Sequence, residues 1–225
     1  MKSSQAALAT RILVPAVAFL AEFNLATTSA PSTDAVSIYK QPMAVQRRYF
    51  ADDTSTKKNA KKTPHTDWQF RCLPQISYDI VENKTANDGR SHAVTLKING
   101  VSLKLSVPIV MRIAKNEAKQ TVEHEFGHVK ICADIYANAE QQMRDYAKTL
   151  LGKAYSGSGA TESDACTAAL KIPFNKLSQR FTTITNDKAK RISAFYDHLD
   201  ATTKLPAATQ IRMAEKHEAT NSPPP

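Results

Sequence analysis

Between Ser91 and Val107 apolar and polar residues alternate strictly: Val94, Leu96 and Ile98 against Thr95, Lys97 and Asn99, then Val101, Leu103, Leu105 and Val107 against Ser102, Lys104 and Ser106. Period-2 runs on either side of Asn99-Gly100 predict a β-hairpin, because a type I′ turn needs positive φ at both central residues. A further strand near Ile76 to Val81 is placed to pair with it. After Pro108 the period lengthens. Val122, Phe126, Val129, Ile135, Ala139 and Met143 recur at helical spacing in a stretch from Ala114 to Lys153 that lacks proline. One long helix is expected there. Ser156-Gly157-Ser158-Gly159 reads as a turn, and Thr161 with Asp164 as a capping box opening the next helix. Pro173 should interrupt that helix, with another over Asn186 to Asp200. The expected fold class is α+β: a small antiparallel sheet packed on a long helix and one or two further antiparallel helices.

Outside this body the pattern fades. Lys2 and Arg11, the apolar run Ile12 to Ala21 and the exit Thr28-Ser29-Ala30 have the order of a secretory signal peptide, so residues 1–30 are assigned as a leader. Arg47, Arg48, Tyr49 and Phe50 before Ala51 offer a mitochondrial presequence as the alternative. Residues 31–66 are rich in Ser, Thr, Lys, Asp and Ala with little periodicity and are expected to form a basic flexible linker. The folded domain is set at 67–205 and a C-terminal tail at 206–225.

The formal charge of +9 changes little once divided along the chain. Residues 1–66 carry nine Lys/Arg and four Asp/Glu, and the remainder 21 and 17, so the body is only mildly basic and no nucleic-acid partner is expected. No run is long and apolar enough for a membrane span. Cys72, Cys132 and Cys166 lack metal-ribbon or redox spacing; a disulfide, if one forms, should involve Cys72, because Cys132 and Cys166 fall at different heights on their helices.

Chemistry concentrates in Thr121-Val122-Glu123-His124-Glu125-Phe126-Gly127-His128-Val129. Helical residues four apart share a face, so His124 and His128 can aim two imidazoles at one metal ion while Glu125 reaches a water beside it. Zn2+ is the expected cofactor, with Glu125 as general base. Gly127 costs a helix about 0.8–1 kcal/mol relative to Ala and needs a local reason.

These residues resemble the zincin metallopeptidases, whose longer signature Thr121, Val122, Phe126, Gly127 and Val129 also match, with Lys130 departing from it. From Tyr78 to Asp197 the chain is similar to an uncharacterised bacterial family of predicted secreted zinc-dependent proteases, in which an HExxH helix follows a hairpin and a Tyr-Asp pair lies far downstream, here Tyr196-Asp197. The resemblance implies a zincin-like fold, a zinc metalloendopeptidase and a peptide or protein substrate.

The third ligand is open at this level. Asp134 stands where the metzincins have their last histidine, but an unbroken helix turns it away from the metal. Glu162 begins the next helix at the far end of the long one. An antiparallel return brings residues 185–200 back to the histidines; within that window the family resemblance favours Asp197 and ligand type favours His198, and the resemblance to zincins makes Tyr196 a candidate hydrogen-bond donor to a developing oxyanion. A substrate peptide could add to the edge of the hairpin. The rival expectation is a catalytically inactive zincin-like binding or structural protein.

Overall fold

A computed structural model describes residues 35–50, 63–86, 89 and 91–221. The leader expected at 1–30 lies outside the described residues. The fold is α+β, with strands β1 (Val36–Lys40), β2 (Ala44–Tyr49), β3 (His65–Trp68), β4 (Arg71–Thr85), β5 (His92–Ser106), β6 (Pro108–Ile113) and β7 (Ala154–Gly159). The helices are α1 (Lys119–Lys148), α2 (Glu162–Thr182), α3 (Lys188–Thr202) and α4 (Ala207–Asn221), with a π-helical turn over Thr183–Asp187 between α2 and α3.

The hairpin expected at Asn99-Gly100 is not formed. β5 runs straight through those residues as one strand and pairs antiparallel with β4 along its whole length. Opposite the junction Ser77 pairs with Gly100 but Tyr78 with Ile98, so Asn99 is an extra residue, a β-bulge. A single extra residue shifts the alternation by one, which keeps Ile98 and Val101 on the same buried face. A two-residue turn leaves the same mark in a sequence. Asn99 Nδ2 donates to Asp79 Oδ1 at 2.9 Å, which anchors the bulge to the neighbouring strand. The chain reversal lies earlier, where the Ala86 N–H donates to the Ser91 carbonyl and Gly89 takes a φ of +66°.

The sheets are mixed rather than purely antiparallel. β1 lies parallel to β5, and β7 lies antiparallel to the other half of β5, both opposite β4. A second sheet has the order β2-β6-β3, with β2 parallel and β3 antiparallel to β6. The expectation of a flexible linker over 31–66 therefore fails for its described part, since β1, β2 and the start of β3 fall inside it. β2 is exposed at all six positions. Ladder hydrogen bonds to β6, not apolar burial, hold it, and a polar edge strand leaves little trace in composition.

Ser156 to Gly159, read above as a turn, belongs to β7. Its glycines serve packing: a Cβ on Gly157 would collide with the Ala165 carbonyl and the Ala169 backbone, so α2 rests directly on the strand. The capping box is present, with Thr161 Oγ1 accepting from the Asp164 N–H at 3.1 Å and the Asp164 carboxylate accepting from the Thr161 N–H at 3.2 Å. Pro173 does not end α2. The helix continues through it, buried along Ala169, Leu170, Leu177 and Phe181, so tertiary packing outweighs the roughly 3 kcal/mol proline penalty. The expected tail likewise contains a helix: α4 buries Ile211 and Ala214 and ties to α3 through the bidentate Arg191–Glu218 pair, Nη2 donating to Oε1 at 2.7 Å and Nε to Oε2 at 3.1 Å. All three cysteines are unpaired, so no disulfide involves Cys72.

Residues of α1 from Val129 to Ala147 fill the core against the strands. α2, the π turn and α3 form an almost continuous helical return beside α1. That return delivers residues 196–200 to the first turns of α1, where the histidines are.

Candidate metal centre

The first half of α1 presents His124 and His128 one turn apart, and α3 presents Asp197 to both. His124 Nε2 and His128 Nε2 are 3.2 Å apart, and Asp197 Oδ1 lies 3.2 Å from the first and 3.1 Å from the second. Three potential ligand atoms thus form a nearly equilateral triangle. Two atoms bound tetrahedrally at about 2.0–2.1 Å from one ion stand about 3.3–3.4 Å apart, so the triangle has the dimensions of three metal ligands. Among the described residues these three form the one group of His, Cys, Asp and Glu arranged to hold a metal ion. Asp197 is half exposed and leaves one side of the group open to solvent, whereas His128 is nearly buried.

Aromatic packing fixes both imidazoles. The Tyr196 ring stacks on His124 at 5.0 Å and meets His128 edge-on at 5.3 Å, while Trp68 of β3 stacks on His128 at 6.1 Å. Asp200 Oδ2 lies 3.0 Å from His124 Nδ1, close enough for charge pairing though not aligned as a hydrogen bond. Glu125 is buried, and Thr66 Oγ1 of β3 donates to its Oε2 at 2.6 Å. Gly127 also finds its reason here: a Cβ would overlap the Tyr196 ring and hydroxyl, so the glycine admits the tyrosine under the helix rather than a metal or substrate.

Of the residues singled out from the sequence, His124, Glu125, His128, Asp197 and Tyr196 come together, and the others do not. His198 points away; it lines a hollow between α3 and α4 with Arg191, Phe195, His217 and Glu218, because adjacent helical positions face about 100° apart. Among the described residues it is Asp197, not His198, that stands with the two histidines. Glu162 stays in the first turn of α2, accepting from Asn83 Nδ2 at 2.9 Å. Tyr196 is fully buried, and its hydroxyl donates to the His124 carbonyl at 3.4 Å. Burial, together with Asp200 and Asp197, pushes its phenol up to about 12. Thr66, Trp68 and Asp200 join the site without a motif in the sequence to mark them. Thr66 lies in what looked like linker, and the only trace of its strand is the short alternation Thr66, Trp68, Phe70.

Electrostatics tighten the cluster. Burial raises the Asp197 carboxyl, but hydrogen bonds from His124 and His128 and their charges outweigh it and hold the group well below the usual carboxylate range. The hydrogen bond to Asp197 raises His124 above its ordinary 6.5; burial opposes this and Asp200 reinforces it. A divalent ion bound there would have to displace that proton. Its apparent affinity should therefore fall as the pH drops, starting from above 6.5, by about tenfold per unit for each proton released. Competition against a chelator of known affinity between about pH 6 and pH 8 reads this slope, and a flat profile would contradict it.

Compared with known proteins, the chain matches no family model, no curated protein and no solved structure. No helix among the described residues is long and apolar enough to cross a membrane.

Proposed function

We propose that the chain is an exported zinc-dependent metalloendopeptidase with a zincin-like arrangement. The observation that carries this reading is the convergence of His124 Nε2, His128 Nε2 and Asp197 Oδ1 at 3.1–3.2 Å, with the Glu125 carboxylate on the same helix. Two imidazoles and one carboxylate suit zinc by donor type and leave a coordination position for solvent or substrate. Bound there, zinc supplies Lewis acidity and lowers the pKa of a water. His124, His128 and Asp197 hold it, Tyr196 and Trp68 keep the imidazoles in place, and Glu125 takes the proton of the attacking water and passes it to the leaving amine.

The substrate is proposed to add along β3 rather than along the β4–β5 hairpin, since β3 is the strand that touches Glu125 and His128. The Gln69 N–H donates to the Pro108 carbonyl, which makes 69/108 a hydrogen-bonded pair of the antiparallel ladder. Counting back by twos, the backbone groups of Thr66 and Trp68 point away from β6 toward the outer edge, where an extended peptide could pair with them. β3 ends its sheet among the described residues.

The full chain should bind about one zinc and cleave casein; a chelator should stop cleavage and added zinc restore it. A folded, never-chelated protein without zinc, or a zinc-loaded one that cleaves nothing, sinks the reading.

A further inference from the structure

We infer that Thr66 is a positioning residue for the general base, an inference that rests on the peptidase reading. Its hydroxyl donates to Glu125 Oε2 at 2.6 Å and also lies 3.2 Å from the Glu125 carbonyl oxygen, so one side chain contacts both ends of the glutamate. Glu125 is only 4% exposed, and a buried carboxylate needs a donor to replace lost water. The strand supplies one across 59 residues of sequence. Thr66 suits the task physically. Its β-branch leaves χ1 few choices, and its backbone sits opposite Met111 between the hydrogen-bonded pairs His65/Arg112 and Asp67/Val110, so the hydroxyl arrives at a set place.

Capturing Oε2 stops the carboxylate from rotating freely and leaves Oε1 as the oxygen to accept a proton. The same strand carries Trp68 against His128 two residues later. One rigid element therefore sets the base and a metal-binding imidazole relative to each other. Such placement matters to rate because a displacement of about 1 Å in a reacting group can cost on the order of a hundredfold.

The test compares full-length Thr66→Val, which keeps shape and loses the hydroxyl, with Thr66→Ser, which keeps the hydroxyl. The probe is a quenched fluorescent casein, zinc per chain is measured alongside, and circular dichroism checks folding. Thr66→Val should lower kcat about 10–100-fold with KM within about threefold and zinc content unchanged, and Thr66→Ser should recover most of the rate. In a Glu125→Gln background Thr66→Val should cost less than about twofold more, because the group it positions is gone. If Thr66→Val does not fold, Thr66→Ala takes its place. A kcat near that of the wild type, a loss that tracks zinc content, or a Ser variant as poor as Val overturns the role of Thr66 alone. A zinc-loaded wild type that cleaves nothing overturns the peptidase reading and this role with it.

Discussion

Glu125→Gln should lower peptide cleavage by about 10²–10⁴-fold, the range that a positioned general base contributes, while zinc stays at about one per chain. The amide keeps the volume of the carboxylate, and its carbonyl oxygen can still accept from Thr66, so the strand remains seated on the helix. What disappears is basicity. His124, His128 and Asp197 do not depend on Glu125 for their approach to one another. Steady-state cleavage of casein together with zinc analysis on the same sample separates the two effects. A variant that retains a tenth or more of the activity, taking a tenth as about 1.4 kcal/mol of barrier, would remove Glu125 from the chemistry.

A second large effect is expected for Asp197→Ala, against almost none for His198→Ala. Asp197 Oδ1 lies 3.2 and 3.1 Å from the two imidazole nitrogens, and its removal would leave two of the three proposed ligands where a stable zinc site needs at least three. Zinc affinity should fall by more than the roughly 10–100-fold that loss of a mere supporting contact costs, and cleavage should vanish with it. His198 lies on another face of α3, so its alanine variant should bind zinc like the wild type. Zinc titration of both variants decides between them. The opposite order of effects would mean that α3 docks in a different rotation.

The contrast between these neighbours shows where sequence reasoning reaches. His124, Glu125 and His128 are legible because an i, i+4 relation within one helix needs no knowledge of the rest of the chain. Length narrows the third ligand to a window, since a helix of known rise must be matched by a return of similar length, and within it the resemblance carried by Tyr196-Asp197 points to Asp197. Which face of the returning helix meets the site depends on how α3 rolls against α1 and α4, and the spacing of residues does not state that. Likewise, the alternation around Asn99-Gly100 reports a phase shift faithfully, yet a turn and a bulge produce the same shift. Only the partner strand distinguishes them. β1 and β2 were illegible for a different reason: they are short, partly or wholly exposed and parallel to partners far along the chain. Thr66 shares that obscurity, being defined by a contact 59 residues away.

The three unpaired cysteines acquire a meaning beside the distance along the chain between the proposed ligands. His124 and Asp197 bracket about 70 residues that contain all of α2, and no covalent bridge closes that span. An ion held by both ends would be the cross-link of this protein, restricting the unfolded chain much as a disulfide of that loop length does. Unlike a disulfide, it can be withdrawn by a chelator without any change of redox state. Resistance to proteolysis and heat would then follow the concentration of free metal, so the surroundings that arm the site would also set how long the protein survives.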